Sequence, residues 1–508
     1  MKRAFDHLLL TCWILLVTHP AFSCFRPFFI AKKSTKSLPQ EYRLRGLLES
    51  GPLLQQQRSA LLVSMLPTDS GAEEGSDKPS SSRLIQPHQD RSSPAYRQLM
   101  AHLGARIRQG SLVSFPTETV YGLGANALDE QAVLKIFAMK RRPLTDPLIC
   151  HVGGLSGEGG ALALLDVGDR EREVVERLAA TFWPGPLSII GKARGIVPPE
   201  VTAGTGFVAV RCPNSSLALD LISASDRPIA APSANLFGAI SPTTAQHVLK
   251  NFPQEDLVIL DGGSCHVGIE STVIKLEMGE REGEDWDDRI CINRRGRVSK
   301  EMIEECLRQA GAEMASIRVY VSPKIDYGRG SASEDVARAP PSASEAQESP
   351  GMLLSHYAPS VPTYLISVAT TDTSSGTGID IHPQEESPAL PPPSKCVLID
   401  MGSRMRDLRG EFAAYFDLCE AAEHTASDES AFLEEAMRSL FATLHEAEAA
   451  AVERGCGLIC VGVADDASDM GEPALALYDR LYRAASGRRL HLYRSGAAGW
   501  RLRRQTAE

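Results

Sequence analysis

Between residues 96 and 315, short β-rich runs alternate with segments of helical spacing, and this alternation limits the possible folds more than any other feature. The runs are "SLVSF", "PLICHV", "LSIIGKA", "FVAVRC", "PIAAP", "LVILDGG" and "STVIKL". Helical spacing occupies 129–141, 170–182, 215–224 and 243–251. The pattern predicts an α/β domain, in which the ends of successive strands converge on one crevice. The acidic stretch "EMGEREGEDWDD" reads as a solvated insertion between two strands. Further on, "CVLIDM" and "GLICVGV" read as buried strands. Between them lies a helix with Phe432, Met437, Leu440, Leu444, Ala447 and Ala451 on one face. With the helix of "PALALYDRLYRAAS", these predict a smaller C-terminal α/β domain over 395–495.

The flanking segments differ in composition. Lys2 and Arg3 precede a short apolar run that ends near Ala21-Phe22-Ser23, a signal-peptide pattern over 1–23. In the following segment, 24–65, the stretch from Ala31 to Met65 sets six cations (Lys32, Lys33, Lys36, Arg43, Arg45 and Arg58) against two acids, Glu41 and Glu49, as in a transit peptide. Together they suggest a bipartite plastid address, with mitochondrion, cytoplasm or plain ER import as alternatives; no membrane association is expected after targeting. Residues 66–95 and 316–394 read as linkers, the second carrying a packed segment at 349–362. The 11 cysteines are scattered without C-x-x-C pairs, which argues against structural zinc and a disulfide framework. A net charge of −11 excludes a protein whose whole surface coats nucleic acid.

"SFPTETVYGLGANA" contains Gly122-x-Gly124-x-x-Ala127, the outline of a dinucleotide fingerprint. Pro116 to Tyr121 separate the strand from the first glycine, and no acid follows at the required offset, so NAD binding is not expected. Instead, polar and charged residues sit at successive strand ends: Thr117 and Thr119 beside Glu118, Lys140 and Arg142 at a helix end, His151 in a strand, and Ser188 after a turn. Arg211 follows with Ser233, Asn235, Ser241, Glu270, Ser271 and Arg294. Singly, each reads as a cap, a turn residue or a surface cation. Collectively, they suit a small-molecule pocket that holds anions.

In its motifs the chain resembles the threonylcarbamoyl-AMP synthases of the YrdC-type family. These are "PTETVYGLG", K-x-R-P at Lys140 to Pro143, "PGP", "VAVR", "APSAN", "SPTTA", "GIESTV" and R-x-G at Arg294 to Gly296. The "SPGM…HYAP" connector and the C-terminal domain resemble the family's long form. The resemblance implies a twisted mixed-sheet catalytic domain over 96–315 with an open basic cavity, plus a smaller Rossmann-like α/β domain. It implies joining L-threonine, bicarbonate (or CO2) and ATP, with Mg²⁺ accompanying the nucleotide. The product would pass to a threonylcarbamoyl transferase, so tRNA is an indirect partner. Threonine is expected at Thr117, Thr119, His151, Arg211 and Ser271. ATP is expected at Lys140, Arg142, Asp146, Ser188, Ser233, Asn235, Ser241, Arg294 and Tyr357. Lys140, Arg142 and Arg211 carry the expected catalytic roles. Asp146 stands where the family often has Asn, Phe237 for Ser, Arg295 for Pro, and Leu353-Leu354-Ser355 for a more cationic run. A non-catalytic RNA-binding module is the alternative reading. A hydrogenase-maturation carbamoyltransferase would need zinc-binding cysteine pairs, which this chain does not have.

Overall fold

The structure, a computed structural model, describes residues 82–278, 288–325, 346–351, 356–368, 390–419, 429–463, 471–494 and 499–504. All belong to one compact unit, Val63–Glu508. The signal and transit-like segments lie outside the described residues, as do positions 66–81 of the first linker and Leu353-Leu354-Ser355.

Among the described residues, the larger sheet has eleven strands. In chain order they are β1 (Arg83–Ile85), β2 (Val113–Phe115), β3 (Gly122–Asn126), β4 (Ile149–His151), β5 (Leu187–Lys192) and β6 (Phe207–Arg211). They continue with β7 (Ile229–Ala230), β8 (Val258–Leu260), β9 (Thr272–Glu277), β10 (Arg289–Arg294) and β11 (Arg318–Val321). Their spatial order is β1-β8-β2-β3-β7-β4-β6-β5-β9-β10-β11, with parallel and antiparallel neighbours mixed. The suspected fingerprint glycines fall inside β3, antiparallel to β2, rather than at a turn into a helix. Local chemistry sets the helix ends. Ser93 caps the helix Pro94–Arg108 by accepting from Tyr96 N at 3.2 Å. Asp129 caps Glu130–Lys140 by accepting from Gln131 N and Ala132 N. That helix stops where Arg141 turns left-handed, with φ 54°.

The second sheet contains β12 (Thr363–Val368), β13 (Cys396–Asp400), β14 (Ala414–Asp417), β15 (Leu458–Gly462), β16 (Arg489–Arg494) and β17 (Trp500–Arg504). Its order is β14-β13-β15-β12-β16-β17, parallel throughout except for the β16–β17 hairpin. Met437, Leu440, Leu444, Ala447 and Ala451 of the helix Glu429–Glu453 are buried against it, the face expected from their spacing.

Three boundaries move. Arg83–Ile85, inside the first expected linker, pairs in parallel with β8, and Ile85 packs on the core beside it. Arg318–Val321, inside the second, extends the catalytic sheet as β11. Thr363–Val368 is an interior strand of the smaller sheet, which therefore runs from 363 to 504 rather than 395 to 495. The apolar positions Leu365 and Ile366, 1% and 0% exposed, drive that placement.

The two sheets share one core. Val120, Ile240, Val267, Ile269 and Tyr357 pack into the same cluster as Phe441, Leu444, Leu477 and Leu481. Gly268 is required there. It has φ +78°, and a Cβ would meet the Arg438 carbonyl oxygen at 2.4 Å. His247 and His445 stack across the boundary with ring centroids 3.8 Å apart.

Candidate active site

A cavity of about 550 Å³, its mouth included, opens where the ends of β4, β6 and β10 meet the loops after β2 and β7. Nine of the expected site residues line it: Thr117, Thr119, Arg142, His151, Arg211, Ser233, Ser271, Arg294 and Tyr357. It is roofed. Pro350, Gly351, His356 and Tyr357 of the connector cover it, and Tyr357 is 1% exposed.

At one end the turn Pro116–Val120 displays two hydroxyls. Thr117 donates to Val120 O at 2.7 Å, so its oxygen accepts from the Thr119 hydroxyl 2.8 Å away. Thr119 in turn accepts from Arg211 Nη1 at 3.0 Å. Arg211 and His151 lie opposite each other on the parallel strands β6 and β4, which brings both to the cavity. Arg211 Nη2 stands 2.6 Å from Glu118 Oε2, a buried ion pair whose angles miss hydrogen-bond geometry. Nε has no hydrogen-bond partner among the described residues. Burial, reinforced by Arg211, pulls the His151 pKa down to about 3, so the imidazole is neutral at neutral pH.

At the other end, Arg294 donates from Nε to Ser271 O and from Nη2 to Ser271 Oγ, both at 3.0 Å. Gly296 makes this approach possible, since a Cβ there would meet Thr272 N at 2.4 Å and Glu270 O at 2.8 Å. The left-handed Arg141 directs Arg142 inward, where it donates to Asp146 O at 3.1 Å and Pro147 O at 2.8 Å. Tyr357, left-handed at φ 62°, packs against His356 and Phe441, and burial pushes its hydroxyl up to about 12. Burial, reinforced by Arg142, holds His356 well below the ordinary histidine range. The departures settle into place: Phe237 packs edge-on against His356, and Arg295 donates to Ile325 O at 3.0 Å.

Five expected contact residues stand behind the cavity wall. Lys140, 1% exposed, donates to Ser233 O at 2.6 Å and to Asn235 O. It clamps the "APSAN" loop from beneath, and burial pulls its pKa well below the lysine value. Asn235 is turned into its own loop, donating to Leu236 O and Ala239 O at 2.8 Å each. Ser188 backs Ser271 at 2.8 Å. Ser241 donates to Glu270 Oε1 at 2.7 Å. Asp146 pairs with Arg142 at 3.0 Å, so the family's unusual carboxylate is balanced by the guanidinium beside it. Burial raises its pKa, and Arg142 opposes that shift.

Among the described residues, Glu270 is the one carboxylate that lines the cavity. Its second oxygen, Oε2, accepts from Arg480 Nε at 3.2 Å. Arg480 comes from the helix Glu472–Ala484 of the smaller domain and is 0% exposed. Sequence reasoning missed it. The available signal was a charged residue on the helix stripe of Ala476, Arg480 and Arg483, which an exposed amphipathic helix would fill with apolar side chains.

The arrangement defines an α/β protein with a roofed, three-guanidinium pocket rimmed by hydroxyls. A family profile described as "Telomere recombination" matches residues 105–296, and one described as "Threonylcarbamoyl-AMP synthase, C-terminal domain" matches 298–486. Threonylcarbamoyl-AMP synthase of Pyrococcus abyssi is 42% identical over 261 residues, 51% of this chain and 65% of that protein. A relative from Methanocaldococcus jannaschii is 31% identical over 211 residues, 41% of this chain and 91% of its own length. The crystal structure of P. abyssi Sua5 complexed with L-threonine superposes with a TM-score of 0.55 at 29% identity, covering 81% of this chain and 99% of that one. The chain belongs to the threonylcarbamoyl-AMP synthase family.

Proposed function

We propose that the protein makes threonylcarbamoyl-AMP from L-threonine, bicarbonate (or CO2) and ATP, releasing pyrophosphate. One observation carries the reading: the guanidinium groups of Arg142, Arg211 and Arg294 converge on a single covered cavity lined by the hydroxyls of Thr117, Thr119, Ser233 and Ser271. In this chemistry, the threonine amine bonds to the one-carbon unit and gives a carbamate, with loss of water from bicarbonate or of one amine proton when the unit is CO2. A carbamate oxygen then bonds to the α-phosphorus as the bond to pyrophosphate breaks. Two anions must approach each other, so charge neutralisation and positioning are the protein's main tasks.

Thr117, Thr119 and His151 surround the threonine end, where Arg211 pairs with the substrate carboxylate, and Ser271 reaches in from beside Arg294 at the other end. Arg142, Arg294 and Ser233 hold the nucleotide phosphates. Tyr357 and His356 keep water from the mixed anhydride. Lys140, Asp146, Ser188, Asn235 and Ser241 hold these groups in place and touch no substrate. Among the described residues there is no cluster of three or more His, Cys, Asp or Glu suited to a metal ion. Asp146, Glu118 and Glu270 each face an arginine. Mg²⁺ would come with the triphosphate and would supply charge neutralisation there.

The product serves a threonylcarbamoyl transferase that modifies tRNA. Residues 1–65 direct the chain to a plastid, which a fluorescent fusion of that segment tests; cytosolic fluorescence refutes it. For the reaction itself, pyrophosphate release from ATP should require both L-threonine and bicarbonate. Equal release without threonine would refute the assignment.

A further inference from the structure

We infer that the smaller domain completes the nucleotide site electrostatically: Arg480 neutralises Glu270 so that the cavity can accept a polyanion. The inference rests on the nucleotide reading above and adds a residue to it.

Glu270 is buried at the wall of a pocket whose other lining charges are the guanidiniums of Arg142, Arg211 and Arg294. A bare carboxylate there opposes a triphosphate, and in a dry site the repulsion is barely screened. Glu270 nevertheless has structural work. Its Oε1 accepts from Ser241 at 2.7 Å and so fixes the loop that enters the helix Ala245–Asn251. The same Ser241 offers its carbonyl to His445 Nε2 of the smaller domain at 3.2 Å. Oε2 meets Arg480 at 3.2 Å. The Arg480 guanidinium stands 5.9 Å from the Tyr357 ring centroid, directly behind the connector that roofs the cavity.

Arg480 is more than an ordinary interdomain ion pair. It is fully buried, and its Nη1 reaches Asp479 Oδ2 at 3.2 Å. Nη2 has no hydrogen-bond partner among the described residues. Burying a guanidinium with an incomplete donor set is costly on stability grounds alone. Its placement makes sense if the charge acts on the cavity. Arg480 is thus a positioning residue, acting on the nucleotide through Glu270.

Two single substitutions separate this role from a merely structural one, because their effects on ATP affinity should have opposite signs. Titration of the full chain with Mg·ATP at low salt, without threonine, should show Arg480→Met weakening ATP by roughly tenfold or more. Glu270→Gln should tighten it severalfold, since the opposing charge is gone while Arg480 remains. In the double variant, ATP affinity should return to within about threefold of the parent. Threonine affinity should move by less than about twofold throughout. Weakening in both single variants, unchanged ATP affinity in Arg480→Met, or no recovery in the double variant overturns the inference. If Arg480→Met fails to fold, Glu270→Gln still decides: weaker ATP binding contradicts the inference. A parent chain that binds no ATP defeats the reading of the site itself, a different outcome from a binding parent whose variants show no opposition of sign.

Discussion

The two sheets bury charge in different ways. In the catalytic sheet, cations come from strand ends and loops and surround the cavity: Arg211 closes β6, Arg294 closes β10, and Arg142 follows a helix. In the smaller domain, the charge at the boundary comes from one helix, whose Arg480 and Arg483 are buried with Asp479, while the strand-end Asp400 is taken up by Met401 N, Met405 N and the Tyr415 hydroxyl. Around the cavity, strand-end charge serves a ligand, because an α/β crevice forms where strands stop. Helix-borne charge inside an apolar stripe serves a neighbouring surface. The smaller domain therefore stands directly behind the site's wall, where Arg480 meets Glu270, rather than being an appendage.

The largest expected effect tests the strand-end half of this contrast. Arg211→Ala removes the partner proposed for the threonine carboxylate and strands Glu118, so kcat/KM should fall at least about 100-fold, and stability by about 3–5 kcal/mol in denaturant unfolding. An intact threonine affinity would show that the strand-end charge faces something else. Lys140→Met comes next. It leaves the Ser233 and Asn235 carbonyls without their buried donor, which costs about 3 kcal/mol of stability. A normal unfolding midpoint with a large loss of ATP affinity would restore Lys140 to direct contact.

The domain boundary makes a pH prediction. Burial pulls His247 down to about 3 and His445 to about 4, while both titrate near 6.5 when unfolded. Above 6.5 neither state binds the proton. As pH falls from 6.5 toward 4, the unfolded chain takes up protons that the folded chain refuses, and stability declines. Each histidine of the pair should contribute up to about 2 kcal/mol to the drop between pH 7 and 5, on top of the slope from the buried His151 and His356, and His247→Phe should remove its share. An unchanged slope in His247→Phe would mean that the stacked pair is open to solvent. The smallest effect belongs to the exposed cross-boundary pair Arg297–Glu434, at 2.7 Å with side chains 40% and 49% exposed. Arg297→Ala should change stability by less than about 1 kcal/mol. A larger loss would place part of the boundary's strength at its rim.

The fold was legible where periodicity was long and paired with turns. The helices at 130–140, 169–182, 216–225 and 245–251 match segments read from spacing. The short strand Arg83–Ile85 and the strand Thr363–Val368 were not legible, because tertiary pairing rather than local pattern makes them strands. In the site, motif membership located the right loops without sorting their residues. Ser233 and Asn235 are two positions apart, yet one lines the cavity and the other braces its own loop. Nothing in one-dimensional spacing distinguishes the two tasks. Arg480 was harder still, since its partner Glu270 lies 210 positions away.

The most direct measurement of the central claim is the mass of the adenylate formed when the purified chain is given ATP, L-threonine and ¹³C-bicarbonate. The account expects one species joining AMP, threonine and a single labelled carbon, formed together with pyrophosphate and absent when threonine is omitted. Hydrolysis of ATP to AMP and pyrophosphate with no labelled adduct, or no reaction at all, would contradict it.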